Sequence, residues 1–231
     1  MIIRKNIESI ENCIRVFSYR NKHDLLSNEI VRWIFDLVKN EKQGEYFKDN
    51  IWIEIVKTKH KIPKSTFDNF NIRAETKNEK IYISIFIYDE FSEKDYKNFN
   101  YILYEIARHE LEHIDRFVLN KRPDEKYVEI YNRLLSSVDL EEHAELVSQY
   151  ILSNTEIDSY VKSIMYVSKK QNVSALDIIE KVLKRAFFNN DSELMKQGMN
   201  NSNIRILMEK TRNALKNKII EYYPRFEEKW L

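Results

Sequence analysis

The sequence predicts an α+β fold, a small three-stranded sheet packed on helices and followed by an all-helical C-terminal region. Three observations predict it. Short runs rich in β-branched residues are confined to the stretch between Ile51 and Tyr88. Apolar residues recur at helical spacing before that stretch and everywhere after it. Strands that precede a run of helices, rather than alternating with them, point to α+β and not to a parallel α/β sheet.

Taken in order, Ile7 to Lys39 reads as one or two helices, with Ile30, Ile34, Leu37 and Val38 on one face. Ile51 to Thr58 alternates and reads as a strand. After a loop at Pro63, Phe70 to Thr76 and Lys80 to Tyr88 form a hairpin around Thr76-Lys77-Asn78-Glu79. In its second strand Ile81, Ile83, Ile85 and Ile87 share one face, with Tyr82, Ser84, Phe86 and Tyr88 on the other. Both faces are mostly apolar, so this strand is covered on both sides or lies beside a binding region.

A long helix follows, from Ser92 or Asp95 to Leu119. Pro123-Asp124 restarts the chain, and Glu125 to Ser136 is helical by its Val128, Tyr131 and Leu135 spacing. Asp139 opens another helix, to about Ser153, with Leu140, Ala144, Val147 and Ile151 as its buried stripe. The remainder is helical, with breaks at Gln171-Asn172, Asn189-Asn190 and Asn200 to Asn203. Residues 1–155 are expected to form one domain, and 156–231 a helical extension packed on it.

Composition narrows the function. A net charge of +1 gives no global attraction to nucleic acid or an anionic membrane. The longest apolar run, Ile81 to Tyr88, is far short of the ~20 residues of a membrane helix. The charged N-terminal residues lack the apolar centre of a secretory signal, so a cytoplasmic protein is expected. A single cysteine, Cys13, excludes an internal disulfide and a Cys-rich zinc site; a buried thiol is its expected state.

The chemistry lies in His109-Glu110-Leu111-Glu112-His113, an HExxH motif inside the long helix. Residues four apart share a helix face, so both imidazoles can reach one metal ion, and Glu110 can act as general base toward a metal-activated water. At 100° per residue Phe99, Ile102, Leu103, Ile106, Ile114, Phe117 and Val118 fill one arc of this helix. His109 and His113 border that arc and Glu110 falls near its middle, where a carboxylate is costly without a partner or a task. Arg108, Glu112 and Asp115 are expected to face solvent.

HExxH placed in this way resembles the zincin metallopeptidases, in which an edge strand lies beside the active-site helix. Lys80 to Tyr88 is the expected counterpart of that strand. Arg116 and Leu119 stand where the metzincin branch has Gly and His. The segment Glu141-Glu142-His143-Ala144-Glu145 is similar to the gluzincin ExxxD pattern, with Glu145 in place of the Asp. It is also similar to the ExxAxxxA segment of small intracellular repressor-cleaving metallopeptidases, which carry Gly inside HExxH where this chain has Glu112.

The resemblance implies one zinc ion per chain and hydrolysis of a protein or peptide substrate. Its ligands would be His109, His113 and Glu141, with Glu145 holding a ligand histidine from outside. Glu142, three residues after Asp139, has a capping role instead, and Ala144 and Ser148 are small enough for the ligand-bearing helices to approach. Glu145, His143, Glu125 and Glu129 are the alternative third ligands. His143 is read as packed, and His23 and His60 as surface residues. Tyr131 and Tyr150 are candidate oxyanion donors. The alternative function is a metal-stabilised regulatory or interaction module without turnover, encoded by a phage or mobile element.

Overall fold

Alternating isoleucines build the sheet. A computed structural model describes residues 44–48, 51–57, 70–77, 80–87, 93–118, 125–188 and 191–224. The helices expected between Ile7 and Lys39, Cys13, His23, His60, the Pro63 loop, the Pro123-Asp124 restart and the break at Asn189-Asn190 lie outside the described residues. The strands are β1 (Gly44–Lys48), β2 (Ile51–Lys57), β3 (Phe70–Lys77) and β4 (Lys80–Ile87), in the order β1-β2-β4-β3. β4 pairs parallel with β2 and antiparallel with β3, and β1 pairs antiparallel with β2.

The register stacks Ile51, Ile53 and Ile55 against Ile81, Ile83 and Ile85, and all six are buried. Each contributes at most about 1.5–3 kcal/mol, and a slip of one residue would turn the whole set to the other face. The second face of β4 is only half-buried at Tyr82, Ser84 and Phe86. The Arg73 guanidinium lies 5.6 Å from the Phe86 ring centroid on that face.

Two sheet expectations are corrected. There are four strands rather than three, because β1 carries Glu45 and Lys48 in a run too short to register as alternating. Lys80–Ile87 is interior, and β3 is an edge strand, as is β1. The hairpin places β3 on one side of β4, while β2 takes the other.

Helix α1 (Glu93–Val118) runs along β3. Phe99 meets Phe70 edge-on at 5.3 Å, and Glu110 meets Thr76 near the other end of the strand. Six strand residues span about 20 Å and eleven helical residues about 16 Å, so the two elements keep pace in the same direction. Phe99, Ile102, Leu103 and Ile114 are buried, as their periodicity predicts, whereas Ile106 is half-buried. Arg108 and Glu112 correct the solvent-facing expectation, since both are buried and form an ion pair one helical turn apart. Pairing is what makes buried charge tolerable. The side chains of Asp115, Phe117 and Val118 lie outside those described.

The described residues fall into two compact units, 44–118 and 125–224. The second contains α2 (Glu125–Ser136), α3 (Leu140–Ile151), α4 (Ile157–Gln171), α5 (Ala175–Phe188), α6 (Ser192–Asn200) and α7 (Ser202–Tyr222). The division therefore groups α2 and α3 with the helices after them, where the sequence reading placed a boundary at 155/156. Helix α7 is the hub of this unit, packing on α3, α4, α5 and α6 through Ile204, Met208, Thr211, Leu215 and Ile219.

The helix breaks fall at asparagine and aspartate for local reasons. Asp191 and Asn201 each accept two amide hydrogen bonds at a helix start. Asn172 ends α4 in the left-handed conformation, φ 54° and ψ 47°, which asparagine tolerates better than most residues. In α2 the Val128, Tyr131 and Leu135 stripe is exposed and Ile130 is the buried residue. Among the described residues no helix is long and apolar enough to cross a membrane.

Candidate metal centre

Helix α1 brings the two motif imidazoles together. Their Nε2 atoms lie 3.1 Å apart, with ring centroids 4.9 Å apart and planes at 74°. His109 is buried and His113 half-buried. Two nitrogens each ~2.0–2.1 Å from a tetrahedral zinc ion would be separated by about 3.3 Å, so the pair fits such an ion with little adjustment. In the metal-free protein the same separation suits a hydrogen bond from one imidazole to the other.

Glu110, between them in sequence, is 9% exposed. Its Oε2 lies 2.7 Å from the Thr76 hydroxyl, which is also 3.0 Å from the Glu110 backbone carbonyl. Thr76 has one hydroxyl proton, and both acceptors belong to Glu110. The edge strand therefore fixes both the side chain and the local backbone of this residue. On the same helix the Arg108–Glu112 pair occupies its own charges.

The acidic helix start in the second unit is engaged locally. Asp139 caps α3 by accepting from the Glu142 amide at 2.8 Å, the contact the sequence predicts. The Glu142 carboxylate pairs with Arg133 at 3.0 Å instead of closing a reciprocal capping box. Glu141 is exposed, and its two oxygens accept from the side-chain amides of Asn201 at 2.5 Å and Asn203 at 3.2 Å. Glu145 is exposed and accepts from Gln149 at 3.2 Å. Ser148 is hydrogen-bonded to Thr211 at 2.8 Å, so the small residues of α3 serve its approach to α7.

Of the other candidates, His143 is half-buried, its Nδ1 3.0 Å from the Ser137 hydroxyl, and burial lowers its pKa. Glu125 and Glu129 are exposed. Tyr131 is 40% exposed and part of a tyrosine stack with Tyr127 and Tyr150. Burial first, then the nearby Glu156, Tyr160 and Tyr127, pushes the Tyr150 hydroxyl well above the usual phenol range, so it stays protonated.

The carboxylate that the sequence reading passed over is Glu156, which is fully buried. It occupies the N-cap position of α4 in a helical conformation, φ −99° and ψ −38°, and makes no side-chain cap. Its Oε1 instead accepts from the Tyr127 hydroxyl at 2.8 Å. The available signal was the composition of Ser153-Asn154-Thr155-Glu156-Ile157. Ser, Asn or Thr could have capped this helix, leaving the glutamate for another purpose.

Comparison with protein-family models, curated proteins and solved structures finds no match to this chain.

Proposed function

We propose that this protein is a zinc-dependent metallopeptidase of the zincin type, acting on a protein or peptide. The observation that carries the reading is the pair of His109 and His113 Nε2 atoms 3.1 Å apart on the turn of α1 that also bears Glu110. In this reading His109 and His113 supply two of the ligands of one metal ion, and a carboxylate of the chain supplies the third. Two imidazoles and one carboxylate are the ligands of a catalytic rather than a closed structural zinc site. Glu141, the carboxylate that the sequence suggests as third ligand, is exposed and held by Asn201 and Asn203, whereas Glu156 is buried and accepts from Tyr127.

Zinc bound by these residues would polarise the scissile carbonyl and supply water of lowered pKa. Glu110 takes a proton from the attacking water as the new carbon–oxygen bond forms. It returns that proton to the amide nitrogen as the carbon–nitrogen bond breaks. Thr76 holds the carboxylate in place between the two transfers. The resemblance to zincins at the level of fold belongs to this proposal too, and an edge strand running beside the HExxH helix supports it.

The test is zinc content of the purified protein, with peptidase activity on casein or a peptide library before and after chelation. About one zinc per chain and chelator-sensitive turnover are expected. Zinc without turnover would instead support the regulatory module, and absence of zinc under saturating conditions would overturn both.

A further inference from the structure

We infer that the buried Arg108–Glu112 ion pair is the positioning element for the two imidazoles, an assignment that rests on His109 and His113 being metal ligands as proposed above. The pair joins residues four apart on α1, through Arg108 Nη2 and Glu112 Oε1. His109 and His113 are also four apart, each one residue further along, so both pairs span the same turn. At ~100° per residue Glu112 lies ~60° and Arg108 ~100° to one side of His109, with Glu110 ~100° to the other. Thr76 grips the Glu110 flank from β3, and the ion pair holds the opposite flank.

Burial is what makes the pair a stiff restraint. The side chains of Arg108 and Glu112 are 8% and 2% exposed, whereas those of the Arg133–Glu142 pair are 55% and 47% exposed. An exposed pair opens and closes against water at little cost. A buried one stays closed, because parting it leaves two charges without solvent. The imidazole Nε2 atoms stand 3.1 Å apart, close to the ~3.3 Å that a tetrahedral zinc ion requires. A turn held on both flanks keeps that gap, so taking up an ion costs little reordering. Neither Arg108 nor Glu112 is a ligand in this assignment.

The experiment is a zinc titration of the full chain against a chromophoric chelator, with cobalt(II) absorption spectra and melting of the metal-free protein. Removing one partner strands a buried charge, so both are removed together in the double variant Arg108→Met, Glu112→Leu. Apolar residues of similar size replace a buried ion pair at little or no loss of stability, so melting should match the parent within a few degrees. Zinc binding should nevertheless weaken ~10–100-fold, the range for loss of a partner outside the ligand set, with altered cobalt bands. Arg108→Lys, which keeps an ion pair across the same turn, should stay within about three-fold of the parent.

Unchanged affinity and cobalt bands in the double variant, with loss of zinc in His113→Ala, would overturn the positioning role alone. Unchanged affinity in His113→Ala would overturn the metal reading and the inference with it. A fall in melting temperature that accompanies the loss of zinc, or an equal loss in Arg108→Lys, would mark a general disturbance of α1 and count against the inference.

Discussion

Thr76 and Glu110 are joined across the boundary of sheet and helix, the threonine hydroxyl 2.7 Å from Oε2 and 3.0 Å from the backbone carbonyl of the same glutamate. The contact ties the motif glutamate to the edge strand rather than to its own helix. Thr76→Val is expected to lower peptide turnover by ~10–100-fold while zinc content stays at the parent level. Thr76→Ser, which keeps the hydroxyl, should recover most of the activity. Equal turnover in the valine and parent proteins would remove the positioning role.

The motif residues divide by function. His113→Ala should lose zinc, because one imidazole and one carboxylate leave the ion under-coordinated. Glu110→Gln should keep zinc and lose hydrolysis by ~10²–10⁴-fold, the usual contribution of a general base. Elemental analysis and a turnover assay on the same preparations separate the two effects. Zinc retained in His113→Ala would sink the metal assignment.

Among the acidic residues of the helical unit, Glu141, Glu142 and Glu145 each have a side-chain partner within that unit. Glu141→Ala and Glu145→Ala should leave zinc affinity nearly intact, since their carboxylates serve asparagine and glutamine side chains. Glu142→Ala removes an exposed ion pair with Arg133 and should cost ~0.2–1 kcal/mol of stability without touching the metal. Loss of zinc in Glu141→Ala would show instead that the ligand suggested by the ExxxD-like segment is the correct one.

Gly198 is required by packing. A Cβ built there would lie 2.3 Å from Cε1 and 2.9 Å from Cζ of the buried Phe188 ring. Alanine is a better helix former than glycine, yet Gly198→Ala should destabilise by about 1–3 kcal/mol, because the ring must move within a packed core. Thermal unfolding of the two proteins decides the sign.

Burial lowers the pKa of His143. In the unfolded chain its pKa is near ~6.5, so the unfolded state binds the proton first as pH falls. Stability from the neutral, half-buried imidazole is therefore complete above that value and declines below it, down to the lower pKa of the folded state. His143→Gln is expected to flatten the dependence of melting temperature on pH between about 7 and 5 relative to the parent. Identical slopes would refute the contribution.

Legibility differs between the elements. The β3–β4 hairpin and the bounds of α1 follow the sequence closely, because alternation and helical period are local signals with nearby turn residues to end them. The Asp139 cap was legible for the same reason, its partner amide lying three residues away. The exposure of Val128, Tyr131 and Leu135 was not, since a shared helix face does not reveal what, if anything, covers it.

By itself the sequence determined the α+β class, the position of HExxH within one helix, and the breaks at Gln171-Asn172 and Asn200 to Asn203 between the later helices. All of these depend on contacts within a few residues. The tertiary structure decided that β3 rather than β4 lies at an edge of the sheet, that Arg108 and Glu112 are buried together, and that Thr76 holds Glu110. It also decided that Glu156 is buried and meets Tyr127, 29 residues earlier in the chain. Periodicity shows which residues face the same way, whereas strand order, burial and long-range hydrogen bonds depend on which distant segments pack together.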